Sequence, residues 1–164
     1  MSVNFGNTWR FARFMERARP AAKAELKGAP DYPEISGTVK FYQTKPGVIV
    51  VAEVYGLPHT QGSCNGEIFA FHIHEGNSCT GNSEDPFADA GEHYNPHGCE
   101  HPEHAGDLPP LFGNQGYAWS AVLTARFTTD EIIGRTVIVH RNVDDFTSQP
   151  AGNAGPKIAC GVIR

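Results

Sequence analysis

No stretch of this 164-residue chain approaches the roughly 20 consecutive apolar residues that a membrane-spanning helix needs, so a membrane is not an expected partner. Basic charge is not in excess either. Lys and Arg number 13 against 18 Asp and Glu, a formal net charge of -5, which argues against nucleic acid as a partner. The four cysteines (Cys64, Cys79, Cys99 and Cys160) lack the C-x-x-C spacing of thiolate zinc sites; they allow two disulfides in any of three pairings. No G-x-S-x-G is present, which removes the nucleophile-elbow hydrolases, and no glycine-rich loop precedes a helix to cradle phosphate. Long runs of Ala, Glu, Lys and Leu are scarce, whereas Gly (18) and Pro (12) are plentiful, a balance that suits a turn-rich all-β chain better than a helical bundle. With 40% apolar residues, one domain of this length can bury a sizeable core.

Residues 1–19 contain no uninterrupted apolar stretch of secretory type, so cytoplasm is the default location. The segment carries Arg10, Arg13, Arg17 and Arg19 against Glu16, with Phe5, Trp9 and Ala12 near one helical face; an organellar targeting peptide is the alternative to a loosely held arm. The chain divides on this basis into an N-terminal extension, 1–19, and one domain, 20–164.

Strand-like segments bounded by turn residues fall at 21–27, 35–43, 47–57, 67–75, 107–112, 117–127, 135–141 and 157–164. Thr44-Lys45-Pro46 reads as a hairpin link. Along 67–75, Phe69, Phe71, Ile73 and Glu75 share one face and Ala70, His72 and His74 the other, the pattern of a half-buried strand. Two long aperiodic stretches, 76–106 and 142–156, interrupt the strands; loops of that length inside a domain are functional or disordered. About eight strands, two long loops and no strong helix predict a β-sandwich or barrel.

Histidine is the outlying residue type. His72 and His74, at i and i+2 of a strand, project to one face and could grip one ion, or could be polar residues on a solvated face. The window 91–108 adds His93, His97, His101, His104 and Asp107. Imidazoles with one carboxylate suit zinc or copper rather than calcium or magnesium. His140 ends a buried-looking strand, where it reads equally well as a core histidine.

From about residue 21 onward the chain resembles the copper/zinc superoxide dismutases. The resemblance rests on FHIHE (71–75), AGEHYNP (90–96), HAGDL (104–108), IIGRTVIVH (132–140) and GNAGPKIACGVI (152–163), in that order. It implies an eight-stranded antiparallel Greek-key barrel, like an immunoglobulin sandwich, with two functional loops. It implies copper on His72, His74, His93 and His140, and zinc on His93, His104, Asp107 and a fourth residue. For that place His101 has the family's usual separation from His93, while His97 reproduces its His-Gly dipeptide only if four residues are deleted. Asp144 resembles the carboxylate that links a copper histidine to a zinc histidine. Cys79 and Cys160 match the family's disulfide, leaving Cys64 and Cys99 as a second bridge or as free thiols.

The implied reaction converts superoxide to dioxygen and hydrogen peroxide by redox cycling of copper, with His93 bridging the metals. Lys157 occupies the place of an arginine over the copper channel: the charge is kept and the planar two-pronged donor lost, so slower turnover is expected. Because the loop 142–156 also lacks the charges that usually shape the field, anion approach would depend on Arg141 and Lys157. Expected partners are superoxide and a copper-delivery protein, and a homodimer is compatible with the apolar strand faces. The alternative is a metal-buffering module with the same fold and little activity.

Overall fold

The computed structural model describes residues 17–62 and 67–164. Eight strands form: β1 (Ala22–Gly28), β2 (Ser36–Thr44), β3 (Gly47–Tyr55), β4 (Ile68–His74), β5 (Asp107–Phe112), β6 (Ala118–Thr124), β7 (Thr136–His140) and β8 (Lys157–Val162). All pairings are antiparallel, in the spatial order β5-β4-β7-β8-β1-β2-β3-β6. Consecutive strands β1, β2 and β3 pair as a meander, whereas β4 reaches across to β7 and β8 to β1, which is the Greek-key crossover. The sheet curls into a nearly closed barrel whose seam runs between β5 and β6.

Alternation along each strand sends one set of side chains inward. Phe69, Phe71 and Ile73 of β4, Val137 and Val139 of β7, and Val39 and Phe41 of β2 share one buried core. The β2–β3 turn is tight, with Thr44 opposite Gly47 and the Thr44 hydroxyl donating to the Gly47 carbonyl. Two differences from the sequence reading stand out. A four-residue helix, Thr129–Ile132, sits between β6 and β7, started by the Glu131 carboxylate accepting the Thr128 N–H. And β4 is buried on both faces rather than one, with His72 0% and His74 2% exposed, because the two long loops fold over its outer side.

The loop 76–91 is fastened by a disulfide between Cys79 and Cys160 of β8. It brings Phe87 and Ala90 onto Ile138 and Cys160, a second small core outside the barrel. Cys99 carries a free thiol, so it forms no second bridge, and Cys64 lies outside the described residues, as do residues 1–16 of the Arg-rich N-terminal segment.

The disulfide closes a loop of sequence separation 81, for which chain entropy gives about 4–5 kcal/mol. Cys79→Ala should therefore lose about 4–5 kcal/mol of unfolding free energy in denaturant titrations of the metal-free protein. A reductant should destabilise the wild type to the same level while leaving the variant unchanged.

Candidate metal centre

The sheet register builds the centre on the outer side of the barrel. His72 pairs with Ile138 of β7 and with Asp107 of β5, and His74 pairs with Thr136, so His72, His74 and Asp107 share one face with His140, two residues past Ile138. His93 joins them through an isolated bridge to His74. The irregular stretch that follows is held against β4 by main-chain bonds: Tyr94 N–H to the Ile73 carbonyl, Ile73 N–H to Gly106, and Gly106 N–H to Tyr94, each 2.8 Å. Gly106 must be glycine, since a Cβ there would sit 2.2 Å from the Ile73 oxygen.

Two groups of four donors result, one of His72, His74, His93 and His140, the other of His93, His101, His104 and Asp107; all seven residues are buried. His93 belongs to both. In the second group, His93 Nδ1 lies 2.7 Å from Asp107 Oδ1 and 3.4 Å from His104 Nδ1. His101 Nδ1 and His104 Nδ1 lie 2.9 and 3.2 Å from Asp107 Oδ2. Tetrahedral zinc with nitrogen and oxygen ligands spaces its donors by roughly 3.3 Å, close to the separations of 2.7–3.4 Å among these five atoms. His97 is exposed and stands in neither group.

Four nitrogens that do not face a donor group are committed elsewhere. His74 Nδ1–H donates to the Gly91 carbonyl at 2.8 Å and His140 Nδ1–H to Gly155 at 3.1 Å, which leaves their Nε2 atoms 3.1 Å apart. His72 Nε2 and His101 Nε2 each donate at 2.8 Å to a different oxygen of Asp144. Of four buried side-chain polar atoms that make no hydrogen bond among the described residues, three are His72 Nδ1, His93 Nε2 and His101 Nδ1, the last close to Asp107 Oδ2 but not aligned for a hydrogen bond; all three belong to the donor groups. Orphaned buried imidazole nitrogens aimed at one another fit bound cations and little else.

Burial shapes the titration. It drives His74 well below the usual imidazole range, with His140 adding repulsion, and it takes His140 down to about 3, helped by His72. His72 is lowered by burial against a pull from Asp144. For Asp144 burial works upward, yet hydrogen bonds from His72, His101 and the Phe146 N–H bring it to about 2; Asp107 is likewise held low by His93 against its burial.

A cavity of about 350 Å³ reaches His74, His93 and His140 and is also lined by Glu84, Asp85, Glu92 and Lys157. The Lys157 ammonium is not free there: it donates to the Asp85 carboxylate. Arg141 is exposed and does not line this cavity. Sequence reading counted on both cations and missed Asp85, whose only signal was its place in an acidic stretch of the loop.

Residues 35–163 match the family model of copper/zinc superoxide dismutase (SODC). The chain belongs to the copper/zinc superoxide dismutase family. It is 36% identical over 146 residues to Cu-Zn superoxide dismutase 2 of Aquifex aeolicus (strain VF5), covering 80% of each chain. It is 34% identical over 142 residues to Cu-Zn superoxide dismutase of Photobacterium leiognathi, covering 78% of each. The extracellular Cu-Zn superoxide dismutase of Rattus norvegicus is 34% identical over 145 residues, which cover 82% of this chain and 57% of the rat protein. Copper and zinc are the cofactors and superoxide is the substrate. Among the described residues no helix is long and apolar enough to cross a membrane.

The lowered histidines bind protons more readily unfolded than folded. Their stabilisation is complete above the usual imidazole pKa of about 6.5 and is lost as pH falls from there toward about 3 for His140, with Asp144 and Asp107 adding loss below about 4. Thermal unfolding of chelator-treated protein should therefore show a Tm that falls steadily from pH 7 to pH 4. A flat profile would contradict the buried-neutral state of these imidazoles.

Proposed function

We propose that this superoxide dismutase holds copper on His72 Nδ1, His74 Nε2, His93 Nε2 and His140 Nε2, and zinc on His93 Nδ1, His101 Nδ1, His104 Nδ1 and Asp107. The observation that carries the assignment is the division of nitrogens. In the first group His72 Nδ1 and His93 Nε2 have no protein partner among the described residues and His74 Nε2 and His140 Nε2 face only each other, an all-imidazole set beside an open cavity, which suits copper and a small anion; of the second group, which includes a carboxylate, only the shared His93 reaches that cavity, which suits a more closed zinc site.

Copper, when bound, supplies one-electron redox chemistry, so that two superoxides and two protons give one dioxygen and one hydrogen peroxide. The chain's own groups do the rest. Asp144 and the Gly91 and Gly155 carbonyls fix which nitrogen of each imidazole carries hydrogen, and so which one is free to ligate. His93 lines the cavity and its Nδ1 is engaged beside Asp107; Nε2, without a protein partner among the described residues, is the atom placed to take up a proton and pass it to the departing peroxide. The cavity of about 350 Å³ leaves ample room for a diatomic anion.

Reconstitution tests the reading. One copper and one zinc per chain with strong dismutation are expected, and His140→Ala should lose copper affinity and cut activity by at least about a hundredfold while zinc stays bound. Copper bound without activity in the wild type would instead support a metal-buffering role.

Lys157 serves in this reading as the local positive charge for an approaching anion, and Asp85 offsets it. Asp85→Asn should raise kcat/KM at low ionic strength, by up to about tenfold, and steepen its fall with added salt. An unchanged rate and salt slope would remove Asp85 from the steering field.

A further inference from the structure

Two side chains that ligate nothing grip the main chain of the second donor group. Arg126 lies two residues beyond β6, across the barrel seam from β5. Its Nη1 donates to the carbonyls of Pro102 (2.9 Å), His104 (3.2 Å) and Asp107 (3.3 Å). Gln149, in the loop between β7 and β8, pairs twice with His101: its Oε1 accepts the His101 N–H at 2.9 Å and its Nε2 donates to the His101 carbonyl at 2.7 Å. Three of the four residues in that group, His101, His104 and Asp107, thus have their backbone held by one of two residues distant in sequence.

That stretch needs such support. Residues 98–106 include no strand, and only Pro102 and Glu103 separate His101 from His104. Three donors must nonetheless converge to about 3.3 Å spacing, and a displacement of an ångström would spoil the geometry. The guanidinium's fixed fork can gather several carbonyls at once, which an ammonium does less well.

We propose that Arg126 and Gln149 are positioning residues for zinc, setting its affinity through the loop backbone rather than by contact; this rests on the assignment of zinc to the second group. Electrostatics alone predicts the reverse for Arg126, since a nearby cation repels a divalent ion. Arg126 is an exposed residue whose charge water screens, however, while the geometric restraint is not screened, so positioning wins.

The test is zinc affinity of the copper-free full chain, measured by competition with a chromophoric chelator, with far-UV circular dichroism to confirm folding. Arg126→Ala and Gln149→Ala should each weaken zinc by roughly ten- to a hundredfold while copper affinity changes little, and Arg126→Lys should recover part of the loss. Unaltered or tighter zinc binding in both alanine variants overturns the proposal, as does a copper affinity that falls in step with zinc. His104→Ala separates the two ideas: if it leaves zinc affinity at the wild-type value, the zinc assignment itself is wrong, whatever the Arg126 and Gln149 variants do.

Discussion

The centre depends on one buried carboxylate. Asp144, 2% exposed, gives one oxygen to His72 Nε2 and the other to His101 Nε2, joining a strand of the barrel to an irregular loop. Because an ionised carboxylate only accepts, both Nε2 atoms must carry the hydrogens, and both Nδ1 lone pairs must face their donor groups. The Phe146 N–H donates to the oxygen that also accepts from His101, and Gly152 makes room: a Cβ there would fall 2.1 Å from Asp144 Oδ1 and 2.6 Å from His101 Nε2. A single side chain thereby orients one donor in each group, and the loop's glycine is a requirement of that contact.

Without ions the arrangement is expensive. His74 and His140 spend their Nδ1 hydrogens on carbonyls, so two bare Nε2 lone pairs confront each other at 3.1 Å in a buried site. Protonating either ring would relieve that contact, but burial opposes a charge there, which is why both titrate so low. A cation shared between the rings relieves both problems together. Metal affinity in this fold is thus in part the release of an electrostatic conflict that the barrel and its loops hold in place.

Much of this was legible in the chain. Period-two alternation and turn residues located all eight strands within a few residues, and the His-x-His pair and the window 91–108 contained all of the donors but His140. What stayed hidden was nonlocal. The outer face of β4 looked solvated because nothing in 67–75 says that loops from elsewhere cover His72 and His74. Spacing from His93 favoured His101 but left His97 as an alternative; the fold parts them by burial, with Gln149 and Asp144 drawing only His101 inward. Arg126 and Gln149 act on backbone carbonyls and amides, which any sequence supplies, so no pattern marks them. The short helix did carry a signal, since Thr128 and Glu131 have capping-box spacing.

The Lys157–Asp85 pair shows how a contact's size decides what it is for. Asp85 lies in the loop that Cys79 fastens to β8, and Lys157 stands three residues before Cys160, so the ion pair and the disulfide join the same two elements. As a fastener the pair is minor: partly exposed ion pairs contribute about 0–1 kcal/mol, against about 4–5 for the disulfide. Its electrostatic effect is proportionally larger. The cavity reaching His140 is lined by Glu84, Asp85 and Glu92 with Lys157 the one cation of its lining, so neutralising that ammonium leaves a mouth with net negative character toward an anionic substrate. The disulfide already holds the loop, which leaves the field at the cavity as the property the pair chiefly controls, and with it the rate of encounter rather than the chemistry that follows.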